Sequence, residues 1–124
     1  ERVDDEIDQL RLRFRSAATT QDYKDVGNRC VGVLEALSAT VYDPAEHCPE
    51  GMAEPPVDKT DIRIGGYLDE RLPGKSNEEL RGLAKKASAL AHKVKHSPSA
   101  DRTRAGIAAD AVILLANMLR RLAE

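Results

Sequence analysis

The chain has 124 residues, enough for one domain with a modest core, and a formal charge of only −2. Its apolar residues are mostly Ala, Leu and Val, with four aromatics and no tryptophan, a supply that suits close-packed helices better than sheets. No run approaches the about 18 uninterrupted apolar residues that cross a membrane, and no basic-then-apolar leader is present. A cytoplasmic protein that does not enter the membrane is therefore expected. The sequence opens on Glu1 instead of Met, and a piece of a longer chain carrying other domains is the expectation. Cys30 falls on an apolar helix face and Cys48 in a Pro/Glu-rich segment, so both are expected as free thiols.

In chain order, Ile7, Leu10, Phe14 and Ala17 recur at helical steps and predict a first helix over 4–17. Its acids come first and its arginines later, as the helix dipole favours. Asp22 is the expected N-cap of a second helix over 23–41, with Tyr23, Val26, Cys30, Val33/Leu34, Leu37 and Val41 as its stripe. Gly27 and Gly32 within it each cost roughly 1 kcal/mol against Ala and leave room for close helix approach without requiring it. Residues 43–57, with four prolines and many acids, read as a long loop. A shorter helix, starting at Asp58 or Thr60 and ending at Leu72, is predicted with Ile62, Tyr67, Leu68 and Leu72 inward, although Gly65-Gly66 weakens it. Ser76 and Glu79 carry the capping-box spacing. The helix that follows has Leu80, Leu83, Ala84, Ala87, Leu90, Ala91 and Val94 at helical positions and stops at Pro98.

The last helix, capped by Ser99, Asp101 or Thr103 and running to about Leu122, is the most apolar. Ile107, Ala111, Leu114 and Met118 line one stripe; Ala108, Leu115, Leu119 and Leu122 line its neighbour. Together they cover more than the usual apolar arc, so this helix is either central or shared with a second chain. No strand or internal repeat is visible. The expectation is one all-α domain over 1–124, a four- to five-helix up-and-down bundle.

Charge is unevenly spread. Residues 80–104 hold seven Lys/Arg against one acid, a local +6 that leaves −8 on the remainder, and residues 43–79 hold ten acids against four cations. Lys93, Lys95, His96, Arg102 and Arg104 cluster around the Pro98 turn, near a helix N-terminus whose free amides also attract anions. Such a junction is suited to phosphate. With His96 as general acid/base it is also chemically able to cleave an RNA backbone. The plain alternative is that these cations dress a helix end. Stacking aromatics are absent nearby, which argues against sequence-specific recognition. His92 and His96, four apart, have metal-ligand spacing but no third ligand beside them, since His47 and Cys48 lie in the acidic loop. No nucleophile elbow and no phosphate-cradling glycine loop occurs. Neither a metal nor another cofactor is expected.

GNRCVGVLEAL (27–37), followed later by LAHKVKH (90–96), a short loop and a long Ala/Leu helix, resembles HEPN-type domains. The similarity is weighted to 23–41 and 76–122. It implies a four- to five-helix bundle, often dimeric, from prokaryotic defence or toxin-associated proteins, in which many members are metal-independent endoribonucleases and others are inactive binding or dimerisation partners. The arginine that precedes the catalytic histidine by four to six intervening residues in active members is missing here. Residues 89–91 before His96 are Ala, Leu and Ala, and 85–87 before His92 are Lys, Lys and Ala. The expectation is therefore a non-catalytic homodimerising module, with a divergent endoribonuclease or RNA-binding adaptor as the alternative. In the first case Ile107, Ala111, Leu114, Leu115 and Met118 form the dimer or core helix. In the second, His96 is catalytic and Lys93, Lys95, Arg102 and Arg104 grip RNA or another polyanion.

Overall fold

A computed structural model describes residues 2–124, which form helices α1 (Arg2–Ser16), α2 (Thr20–Val41), α3 (Pro44–His47), α4 (Thr60–Arg71), α5 (Glu78–His96) and α6 (Arg102–Ala123). There is no strand among the described residues. The all-α bundle read from the sequence is what forms, with one short helix, α3, inside the segment expected to be loop. Asp43 caps α3 by accepting from the Ala45 amide, and Pro44 occupies its first turn, where a missing N–H costs nothing.

α2 is the central strut. One or more of its residues packs against each of α1, α4, α5 and α6. Val26, Cys30, Val33 and Leu34 are wholly buried and meet Leu10 of α1, Leu68 of α4 and Leu115 of α6 in one core. Truncating any of these leucines to alanine would cost roughly 2–5 kcal/mol, transfer and cavity together. Gly27 makes the closest approach: a Cβ there would lie 2.4 Å from the Lys95 backbone nitrogen. α2 and α5 thus touch main chain to main chain, which only glycine permits. Gly32 faces only the flexible Glu6 carboxylate.

The α1–α2 corner is held by charge. Thr19, not Asp22, is the N-cap. Its hydroxyl accepts from the Asp22 amide, while the Asp22 carboxylate accepts from the Thr19 and Ala18 amides. The helix begins three residues before the expected start because the Thr19/Asp22 pair satisfies its first amides reciprocally. Arg13 donates to Asp22 at 2.7 Å and Asp25 at 3.2 Å. The Ala18 amide, then Arg13, then the Thr19 amide hold the Asp22 carboxyl down at about 2.

The capping box expected at Ser76/Glu79 does not form. Gly74 at φ 85° turns the chain into a 3-10 turn (Lys75–Asn77), and α5 starts after Asn77 without a side-chain cap. Arg81 instead donates to the Leu72 and Gly74 carbonyls and ties the turn to the end of α4. Of the three caps expected for α6, Asp101 is the one used, accepting from the Arg104 amide at 2.8 Å.

Candidate functional site

Around the Pro98 turn, most of the predicted phosphate-binding side chains already have a use within the chain. The Arg104 guanidinium pairs with the cap residue Asp101. That of Arg102 lies 4.6 Å over the Phe14 ring, an arrangement in which cation and π-face attract. Lys95 is half-buried where α5 presses on Gly27. Only Lys93 and His96 stand exposed without such a tie. His92 turns away from His96's solvent setting: it is half-buried, with Nε2 3.3 Å from Thr60 Oγ1. The two histidines share a helix but are put to different uses, and they do not belong to the one His/Cys/acid group with metal-like spacing among the described residues.

That group is Glu46, His47 and Glu70, which sequence reading passed over because its members come from α3 and α4 and meet only through the fold. α3 sits directly on α4 at Gly66, where a Cβ would meet the His47 Cβ and carbonyl oxygen at 3.4 and 3.5 Å. The His47 side chain is 2% exposed, and its Nε2, which has no hydrogen-bond partner, lies 3.7 Å from a Glu70 oxygen and 3.8 Å from a Glu46 oxygen. The ring's other nitrogen decides its chemistry. Nδ1 accepts the Asp43 amide hydrogen at 2.8 Å, so in the neutral ring the proton resides on Nε2. A metal held by Glu46 and Glu70 would need a lone pair there, forcing the proton onto Nδ1 against the Asp43 N–H. As arranged, the three groups are a buried N–H donor facing two carboxylates, and they do not fit a metal.

Beside His47 a cleft of about 880 Å³ opens between α4 and α5, within the size range of small-molecule sites. Its floor carries Ile64, Ala84 and Ser88, all buried. At one end Lys85 pairs with Asp69 across the mouth at 3.5 Å, and at the other His92 meets Thr60. Ile62, expected to point inward, is 54% exposed and forms part of the cleft wall; Ile64 takes the buried place on α4. The long segment after α3 is pinned over the adjoining surface by Arg63. Its guanidinium donates to the Pro55 carbonyl at 2.8 Å, the Pro56 carbonyl and the Glu54 carboxylate, and stacks on Tyr42. Burial raises the Tyr42 phenol, whose hydroxyl has no hydrogen-bond partner.

A second surface feature lies on the opposite flank of α5. Lys85, Ser88 and His92 face α4 across the cleft. Leu83 and Leu90 sit about half a turn round the helix from them, toward α6. Leu83 is 47% exposed and Leu90 half-buried. On α6, Ile107 and Leu114 are 54% and 44% exposed, with Ala111 and Met118 half-buried between them, whereas Leu115 of the neighbouring stripe is fully buried in the core. The α1-facing side of α6 carries Gly106, Ala109 and Ile113, so the 107–118 stripe is turned toward α5. The two expected stripes of α6 are thus separated: one builds the bundle, the other is presented outward. Leu80, which also keeps the helical spacing of α5, is exposed.

No helix of the described residues is long and apolar enough to cross a membrane. No protein-family model matches the chain, and no curated protein or solved structure matches it either.

Proposed function

We propose that the chain is a homodimerising helical module, built like the inactive HEPN-type partners it resembles, that joins two copies through α5 and α6. The observation that carries this reading is that α5 and α6, which pack together, leave Leu83, Ile107 and Leu114 exposed, with Leu90, Ala111 and Met118 only half-buried at the same helical spacing. Scattered exposed leucines need no explanation, but an aligned set on two adjacent helices marks an interaction surface. The closing antiparallel pair α5–α6 also supports the resemblance.

Charge at the rim favours a second copy as the occupant. Along the outer edge of α5, Glu79 lies one turn before Leu83 and Lys93 about one turn after Leu90. A two-fold axis crossing α5 antiparallel to itself brings Glu79 of each copy to Lys93 of the other, an isologous arrangement with complementary ends, and sets the exposed Lys86 of each copy side by side at the axis. The same surface met head to head in parallel places like charges together. The reading assigns no catalytic step to His96. A site among the cations of the Pro98 turn is weakened because Arg102 and Arg104 are engaged within the chain.

Sedimentation equilibrium is the test. A dimer is expected, and Ile107→Glu with Leu114→Glu should yield a folded monomer with unchanged far-UV circular dichroism. Glu79→Lys should weaken association, and adding Lys93→Glu to it should restore it. A wild-type monomer at high concentration ends the proposal.

A further inference from the structure

The α4 helix keeps a glycine for which packing gives no reason. A Cβ at Gly66 would rest against the His47 Cβ and carbonyl oxygen of α3 at 3.4 and 3.5 Å, whereas a Cβ at Gly65 would meet nothing nearer than the Lys85 Cε at 4.0 Å. Gly65 is nonetheless buried, mid-helix, and lines the cleft between α4 and α5. A mid-helix glycine is less stable than alanine, so α4 carries a local cost whose visible effect is an unfilled cleft. Departures of this kind from local stability concentrate at functional sites.

A second, independent observation comes from the same cleft. Ser88 is 2% exposed and its hydroxyl, which lies in a helix where it could bond back to the preceding turn, has no partner. A buried hydroxyl without a partner is costly unless something else satisfies it. His47, with its unpartnered Nε2–H, lines the α3 side. The walls add apolar area from Ile62 and Ala89. The surroundings are acidic. Asp58, Asp61 and Asp69 line the cleft and Glu46 and Glu70 flank His47, against only Lys59 and Lys85. Lys85 is already paired with Asp69.

We propose that the α4/α5 cleft is a binding site for a small organic amine, with its apolar body against Ile62 and Ala89, a polar group on the Ser88 hydroxyl and its ammonium among the rim carboxylates. Anions, including nucleotides and phosphates, are disfavoured by the same rim. The site lies on the flank of α5 opposite the dimer surface, so it stands or falls apart from the dimer.

Tyramine, which carries a phenol besides its ammonium, serves as the probe, with 3-(4-hydroxyphenyl)propionate as the matched anion, in calorimetric titrations and amide chemical-shift mapping on the full chain. The amine is expected to bind, with shifts confined to α4, α5 and His47, and the carboxylate to bind at least about tenfold more weakly. Asp61→Asn should weaken the amine severalfold, and more so at low salt. Gly65→Leu is the decisive variant, because its side chain grows into the cleft that Gly65 lines, where the nearest neighbour is the flexible end of Lys85. It should raise the melting temperature by roughly 3 °C while abolishing binding. Equal binding of the carboxylate, no binding of the amine at millimolar concentration, or binding that survives Gly65→Leu each overturns the proposal.

Discussion

α5 has two interfaces built on opposite solutions. Against α2 it is packed until backbones touch, with Gly27 leaving no room for even a methyl group beside Lys95. Against α4 it stands off, with a Cβ at Gly65 meeting only the tip of Lys85 at 4.0 Å and Ser88 buried but unsatisfied. Glycine appears in both, for contrary reasons. At Gly27 the missing side chain brings helices together; at Gly65 it keeps a space between them. Residue type alone therefore says nothing about which interface is structural and which is available to a ligand.

The contrast can be broken most severely at its tight side. Gly27→Val should cost about 3 kcal/mol or more, since the Lys95 backbone cannot yield as a side-chain tip would; urea denaturation followed by circular dichroism measures it. Leu115→Ala, which leaves a cavity in the fully buried centre of α6, should cost roughly 2–5 kcal/mol in the same assay. In the opposite direction, Gly65→Ala should stabilise by about 1 kcal/mol, because α4 gains helix propensity without a clash. A loss of stability there would mean that the α4/α5 cleft is closed in solution and that the comparison is wrong.

A smaller effect separates the core from its charged corner. The folded Asp22 carboxyl titrates near 2, below its ordinary value of 3.8, because the Ala18 amide, Arg13 and the Thr19 amide favour its ionised form. With the folded value depressed, its contribution is full above about pH 4 and is lost as pH falls toward 2. Asp22→Asn should therefore flatten the pH dependence of the unfolding midpoint across that window. The Cys30 thiol, pushed up to about 12 by burial, should by contrast resist alkylation at pH 8 until the protein unfolds, while the partly exposed Cys48 reacts readily.

Much of the fold was legible from periodicity. The apolar spacing of Val26, Cys30, Leu34 and Leu37 found the buried face of α2, and the same reasoning found Leu115 and Leu119 on α6. It failed for Ile62, which keeps helical spacing yet stands exposed, and it did not decide between core and shared face for Ile107 and Leu114, which are exposed in the single chain. Periodicity reports that a face is apolar without reporting whether another helix of the same chain covers it. Caps were read less well. Asp22 and Ser76 have cap chemistry, but Thr19 and the Gly74 turn fix where α2 and α5 begin.

The candidate sites divide in the same way. The Pro98 turn was visible because its cations are neighbours in sequence, yet Arg102 and Arg104 are drawn to Phe14 and Asp101. The Glu46, His47 and Glu70 group and the cleft beside it draw on α3, α4 and α5, segments up to 46 positions apart, and carry no local signature. By itself the sequence determined the helices, because a 3.6-residue apolar repeat acts over one turn. Only the tertiary structure decided which apolar faces were covered, which glycine closed an interface and which kept one open, because those depend on helices that meet across the bundle.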